Sequence, residues 1–175
     1  MNMDIEPIIN QYLKPVYNFV FRIVGNKNET EDITQEVFIK VWKNLEKFKS
    51  EQNLKPWIFK IARNTTFDYL RKRKNISFSQ LDSQINVNDN QKSFAENIED
   101  TEDLPDEIFM KKELGQELEK ALAEIRLDFR EIILLRYIEE LNFDEISEIV
   151  GKPLNTVKSH HHRGLADLRK IILRK

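Results

Sequence analysis

The sequence contains no cysteine, only four glycines and five prolines, and no long hydrophobic run. Without cysteine there can be no disulfide, thiolate metal ligand or cysteine nucleophile, and we expect a reducing, cytoplasmic setting. No stretch approaches the roughly 18 apolar residues of a membrane span. The first ten residues lack the basic start and apolar run of a signal peptide. We therefore expect neither export nor membrane insertion.

Catalytic signatures are also missing. The chain has no glycine-rich phosphate loop and no Ser-His-acid set at a known spacing. Its many acids fall at positions predicted to be helix surface. We therefore expect no enzymatic activity and no cofactor.

The distribution of charge divides the chain into three parts. The net charge of −2 is the balance of +5 over residues 1–76, −7 over 77–106 and zero over 107–175. The acidic middle has too little periodic apolar surface to offset the entropy of ordering, and a structured loop of that length inside one domain would be unusual. We predict two all-α domains, 1–76 and 107–175, joined by a flexible acidic linker, 77–106.

Helical periodicity predicts four helices in the first domain. Pro15 is expected to start the second of them, and Gly25 to stop it. Asn28 with Glu31 resembles a capping box, which would open a helix with Trp42 on its buried side.

The last helix of this domain is expected to start near Pro56, which suits a first turn, and to run to about Lys74. Its outward face carries cations, an amide and an aromatic ring, which together can hold phosphates and stack an unpaired base. Those residues are Lys60, Arg63, Asn64, Phe67, Arg71 and Lys74. The alternative is a solvated basic face with Phe67 buried against a neighbour.

A second surface lies on the helix after Asn28. It sets an apolar residue within a charged rim, as protein interfaces do, although a solvated face with one stray apolar residue would look the same. Its residues are Asp32, Gln35, Glu36 and Ile39.

The second domain ends in a short helix, a glycine turn and a longer basic helix, the pattern of a helix-turn-helix. Asn142 with Glu145 predicts a capping box, Gly151 the turn, and Asn155 or Thr156 the cap of a last helix that reaches about Leu173. An amphipathic helix with no role in DNA binding is the alternative. The residues expected to face DNA are Asn155, Thr156, Lys158, Ser159, His162 and Arg163.

Three consecutive histidines, His160 to His162, suggest a metal site at first sight. Successive helical residues point about 100° apart, so the three rings cannot converge on one ion. We predict no metal here, and a packed neutral imidazole at His161, which falls on the apolar side.

Three segments together resemble the extracytoplasmic-function group of sigma-70 factors. Asp32 to Phe38, followed by Val41-Trp42, is similar to the polymerase-binding segment of sigma domain 2. Pro56 to Arg71 is similar to the segment that melts and reads the −10 element. Residues 130–137, 144–146, 151–153 and 156–159 are similar to sigma domain 4, which binds the −35 element.

The resemblance implies the partners and the roles. Asp32, Gln35, Glu36 and Ile39 would dock on core RNA polymerase, the basic face with Arg63 and Asn64 would engage −10 promoter DNA, and the final helix would enter the −35 major groove. The loop Phe48–Leu54 would hold an extruded base, whose unstacking costs a few kcal/mol. An anti-sigma factor is the usual regulator of this group.

The histidines depart from the family pattern, because His161 replaces a core leucine and His160 a cation. We therefore expect weak, salt-sensitive and pH-dependent −35 anchoring. Two other classes stay open, namely an autonomous helix-turn-helix regulator and an adaptor that binds only protein.

Overall fold

The computed structural model describes residues 4–48, 53–79 and 105–174, and all regular structure within these ranges is helical. The N-terminal domain contains α1 (Ile5–Val24), α2 (Lys27–Asn44) and α3 (Leu54–Ser79), and the C-terminal domain contains α4 (Pro105–Glu124), α5 (Leu127–Ile133), α6 (Phe143–Val150) and α7 (Leu154–Leu173). A 3₁₀ turn, Leu45–Lys47, follows α2, and a π turn, Leu134–Ile138, follows α5. The predicted all-α, two-domain architecture is confirmed. No described helix is both long and apolar enough to cross a membrane.

The break between α1 and α2 is shorter than the sequence suggested. Gly25 ends α1 in the left-handed conformation at φ 75°, as predicted. The predicted capping box at Asn28 and Glu31 is wrong, because Asn26 caps α2 and its side chain accepts from the Glu29 backbone N–H at 3.0 Å. Gly25 already closes α1, so a single residue remains to cap the next helix.

Pro15 does not start a helix, because α1 continues through it. A proline in a helix interior removes one backbone hydrogen bond, that to the carbonyl four residues earlier. Here that carbonyl belongs to Gln11, an exposed residue, where water can replace the lost donor. Buried Tyr12 and Val16 flank the proline and hold both halves of α1 on one core.

The core of the N-terminal domain excludes Trp42 of α2. Trp42 was expected on the buried side of α2, but it is 62% exposed. Val41 and Leu45 make the core contacts of this stretch, and Trp42 lies about 100° beyond Val41, outside the buried sector. The tryptophan therefore belongs to the outer surface.

The helix-turn-helix is present. Asn142 and Glu145 form both hydrogen bonds of the predicted capping box, at 2.9 Å each, and Gly151 turns the chain at φ 66°. The prediction that Asn155 or Thr156 caps the last helix is wrong, because α7 begins directly after Pro153. Its end at Leu173 is as predicted.

Two large apolar residues of the C-terminal domain lie partly outside its core. Leu118 on α4 is 43% exposed and Ile172 on α7 is 48% exposed. The buried residues of α4, α5 and α7 include Leu122, Phe129 and Val157, respectively.

The two domains pack against each other. Helix α6 lies on α3, and α4 and α5 lie on α1, so α3 has neighbours on two sides. Phe59 and Thr66 of α3 are both buried, and the Phe59 ring meets that of Phe19 on α1 edge-on at 5.6 Å. Helix α3 ends at Ser79 and α4 begins at Pro105, so each helix includes a few residues of the predicted linker. Residues 80–104 lie outside the described residues.

Candidate nucleic-acid interface

The outward face of α3 presents most of its predicted residues to solvent. Lys60, Asn64, Arg71 and Lys74 are exposed, whereas Arg63 and Phe67 are half-buried. The exposed side is opposite the buried Ile58 and Ala62, which anchor α3 in the core. The sequence therefore identified a cationic face that is distinct from the core.

This face contains an open cleft of about 560 Å³, lined by Arg63, Asn64, Phe67, Asp68 and Arg71. Four of these five residues belong to the predicted strand-binding set. Asp68 was missed; its carboxylate accepts a hydrogen bond from Arg71 Nη2 at 2.8 Å. The signal was available, since an acid three residues before an arginine on a helix commonly pairs with it.

Arg63 is bound by a carboxylate of the C-terminal domain. Its Nε donates to Glu131 Oε2 at 2.9 Å, and Nη2 donates to Oε1 at 3.4 Å. The Arg63 side chain is 18% exposed and that of Glu131 is fully buried. The guanidinium also lies 4.2 Å from the centre of the Phe67 ring, a cation–π arrangement. Arg63 is therefore paired with the other domain and not fully open to solvent.

Glu131 is a residue that the sequence could not assign. Burial raises the pKa of its carboxyl, and the hydrogen bond and charge of Arg63 oppose that rise. A lone acid next to the buried run Ile132–Leu135 indicates that some partner exists. Nothing in the spacing indicated that the partner lies on another domain.

The surface on α2 is exposed as predicted. Asp32, Gln35, Glu36 and Ile39 all face solvent, with Ile39 50% exposed. Lys40 Nζ lies 2.7 Å from a carboxylate oxygen of Glu36. Trp42, three residues after Ile39 on the same helix, adds a second apolar group to this side, so the structure enlarges the candidate protein interface.

The DNA-facing residues predicted on α7 are accessible to different degrees. Asn155, Lys158, His162 and Arg163 are exposed, while Thr156 and Ser159 are half-buried. Helix α7 packs against α4, α5 and α6, while Asn155 and Lys158 in its first two turns stay exposed. This is the geometry in which a second helix can meet base edges.

His161 packs as a ring among aromatic side chains. Its Nε2 lies 3.0 Å from the Tyr137 hydroxyl, its ring stacks on Tyr137 at 5.6 Å, and it meets Phe143 edge-on at 5.0 Å. Burial, and then the charge of Arg136, lower the pKa of this imidazole, which agrees with the predicted neutral ring. Within the described ranges, no three His, Asp or Glu side chains are grouped to hold a metal ion.

The predicted base-holding loop is described only at its ends. Phe48 packs its ring 5.0 Å from Trp57, and residues 49–52 lie outside the described residues. Asn53 Nδ2 donates to Glu145 Oε1 of the C-terminal domain at 3.0 Å. The loop therefore starts beside Trp57, in the first turn of α3, and ends in contact with Glu145 of the C-terminal domain.

Comparison with known proteins matches both halves of the chain. The family model for Sigma-70 region 2 matches residues 8–76, and that for Sigma-70 region 4 matches residues 115–168. The ECF RNA polymerase sigma factor SigW of Bacillus subtilis is 32% identical over 93% of this chain and 86% of its own length. SigX of the same organism is 31% identical over 97% of this chain and 84% of its own length.

Solved structures share the fold at low sequence identity. The sigma factor RpoE from Bartonella quintana, in complex with the anti-sigma factor NepR, superposes with a TM-score of 0.70 at 23% identity over 95% of both chains. CnrH, in complex with the cytosolic domain of CnrY, gives 0.66 at 15% identity over 98% of this chain and 88% of its own.

Proposed function

This chain belongs to the extracytoplasmic-function group of sigma-70 factors, and from that membership we propose that it binds core RNA polymerase and directs initiation at a specific set of promoters. The cleft on α3 carries the proposal, because it combines two arginines, an amide and an aromatic ring at one open site. A protein that binds only duplex DNA does not need an aromatic ring to stack on an unpaired base, whereas a protein that binds the melted −10 strand does.

The −10 contacts are assigned to α3. Lys60, Arg71 and Lys74 are exposed cations that can track phosphates of the opened strand. Asn64 offers an amide donor and acceptor to a base edge, and Phe67 offers its ring. The loop between Phe48 and Leu54 is assigned to the extruded base.

The polymerase contact is assigned to α2. Asp32, Gln35 and Glu36 supply the polar rim, and Ile39 and Trp42 supply the exposed apolar centre. An apolar anchor inside a polar rim is the arrangement from which interfaces draw most of their affinity.

The −35 contact is assigned to the N-terminal turns of α7. The exposed Asn155 and Lys158 precede His162 and Arg163 by one to two turns, so the set spans the part of a recognition helix that reaches base edges and phosphates. When polymerase holds both domains, binding at the −10 element raises the effective concentration of α7 at the −35 element, and the reverse also holds. Each DNA contact can therefore be weak on its own.

The setting and partners follow from the same assignment. We infer a cytoplasmic protein that performs no catalysis of its own and needs no cofactor, since the polymerase carries out the chemistry. An anti-sigma factor is the expected regulator; the RpoE chain with the same fold was solved with one bound.

Reconstitution with core polymerase and run-off transcription from genomic fragments tests this function. We expect promoter-dependent transcripts that are lost with D32R on α2 and with K60E on α3. K72E is the matched control, because it makes the same charge change on an exposed α3 residue outside the assigned face. Specific DNA binding without polymerase, together with no polymerase-dependent transcript, would instead identify an autonomous regulator.

A further inference from the structure

We propose that the free chain closes on itself, with the C-terminal domain holding Arg63 away from DNA and the carboxylate of Glu131 standing where a strand phosphate would bind. This inference rests on the proposed function, since Arg63 is one of the residues assigned to the −10 strand.

The contact between the two side chains is the one that a phosphate would make. Two guanidinium nitrogens of Arg63 each face one oxygen of Glu131, at 2.9 and 3.4 Å. Arginine binds carboxylates and phosphates through the same pair of parallel hydrogen bonds. A guanidinium occupied in this way cannot also hold a strand phosphate, so the two partners compete.

Further polar contacts hold the domains in this arrangement. Lys55 Nζ lies 3.2 Å from Glu139 Oε2, and Arg22 Nε lies 2.8 Å from Glu119 Oε1. Glu139 is only 5% exposed. In each of these pairs the cation comes from the N-terminal domain and the acid from the C-terminal domain.

Arg130 adds a contact of the opposite direction, because its Nη1 donates to the backbone carbonyl of Arg22 at 3.1 Å. Together with the packing of α6 on α3, these bonds make one continuous seam. Removing one partner of a buried pair leaves an uncompensated charge, so loss of Arg63 or Lys55 as a partner would leave the buried Glu131 or Glu139 carboxylate unpaired.

Closure leaves the proposed polymerase surface free. Ile39 and Trp42 remain exposed while Arg63 is held, so polymerase can dock on the closed chain. Once docked, the chain needs only to release its C-terminal domain to free Arg63. Closure would thus reduce binding of stray single strands by the free chain without blocking entry into the polymerase complex.

The first test compares E131Q with the wild type in the full-length chain. The probe is a fluorescein-labelled single-stranded 12-mer DNA of random sequence, and the readout is anisotropy at low salt. If about nine-tenths of free chains are closed and only open chains bind the strand, relief of closure raises the apparent affinity by about tenfold; binding by the exposed Lys60 and Arg71 of closed chains reduces that gain. E124Q is the charge-matched control, because Glu124 is an exposed residue of the same domain; equal affinities for E131Q and E124Q would overturn the proposal.

The second test does not depend on the tolerance of a buried site. The chain has no cysteine, so R22C/E119C carries the only two thiols, placed across the seam. A cleavable bismaleimide that joins them should lower strand binding severalfold, and cleavage should restore it; unchanged binding by the cross-linked monomer would overturn the proposal. Each single-cysteine variant, treated alike, is the control.

The two proposals fail separately. If wild-type chain supports promoter-dependent transcription but neither E131Q nor the cross-link alters strand binding, closure is wrong and the function stands. If no transcript forms with any variant, the proposed function fails, while the ratio of strand affinities still reports on closure.

Discussion

Gly164 of α7 lies so close to Phe129 of α5 that a Cβ added to the glycine would come within 2.9 Å of the Phe129 Cβ and within 2.9 Å of Ile133 Cδ1. This close approach seats α7, the proposed recognition helix, on the rest of its domain. No residue larger than glycine fits without moving one of the two helices.

G164A should therefore destabilise the fold by about 1–3 kcal/mol, the usual cost of overpacking a core. G115A is the control, because Gly115 also lies in a helix but has nothing within 4 Å of the added Cβ. There alanine should be neutral or stabilising by up to about 1 kcal/mol. Urea unfolding followed by circular dichroism measures both, and equal effects of the two variants would contradict the close approach.

Trp42 should contribute strongly to polymerase binding and little to folding. Because it is 62% exposed on the same side of α2 as Ile39, W42A is expected to weaken binding to core polymerase by about 2 kcal/mol, or roughly 30-fold. The free energy of unfolding should change by less than about 0.5 kcal/mol. Anisotropy of the labelled chain titrated with core polymerase gives the affinity.

L13A is the matched control for Trp42. Leu13 is 47% exposed, but on α1, so its removal should leave the polymerase affinity unchanged. A loss as large in L13A as in W42A would show that the effect is not local to the α2 surface.

Asn142 and Asn155 flank the turn of the helix-turn-helix, and their substitutions should affect different properties, folding stability for Asn142 and DNA binding for Asn155. N142A removes the acceptor for the Glu145 backbone N–H, so the fold should lose about 1 kcal/mol. N155A removes an exposed side chain inside the first turn of α7 and should reduce promoter binding without lowering the melting temperature. Thermal melts and gel shifts with a −35 duplex separate the two; a melting loss in N155A equal to that in N142A would refute the assigned cap.

His161 should make the stability of the chain depend on pH. Its pKa is lowered in the fold from 6.5, first by burial and then by Arg136. The unfolded chain therefore takes up the proton first as pH falls. The contribution of the neutral ring is complete above about pH 6.5 and declines as pH falls through that value.

H161L should reduce this decline, so the difference in melting temperature between H161L and the wild type should grow from pH 7.5 to pH 5.5. The difference in melting temperature between the two proteins is the quantity to compare, because both contain Glu131 and Glu139. Burial raises the pKa of these two acids, so their contribution to stability increases as pH falls, and it cancels in the difference. H162Q, at an exposed neighbour, is the control that removes no packed ring. A constant difference for H161L would show that the imidazole does not titrate with folding.

Much of the site could be predicted from the order of residues alone. The 3.6-residue period placed Lys60 and Asn64 on the outward face of α3, because the angle between helical side chains is fixed by local geometry. Capping at Asn142 and the turn at Gly151 depend on neighbours within a few residues, and both were predicted correctly. The capping box placed at Asn28 was wrong for a related reason, since two asparagines lie close together and only the exact end of α1 at Gly25 selects between them.

Tertiary structure alone decided which faces the domains cover. Sequence determined that α3 carries a cationic face, that α2 carries an apolar residue in a polar rim, and that the chain ends in a helix-turn-helix. It could not determine that Glu131 reaches Arg63 from 68 residues away, because a long-range contact depends on how whole helices pack and leaves no periodic trace. For the same reason the sequence predicted Trp42 to be buried although it is exposed. How much of α2 is covered depends on how many helices pack against it in the assembled fold.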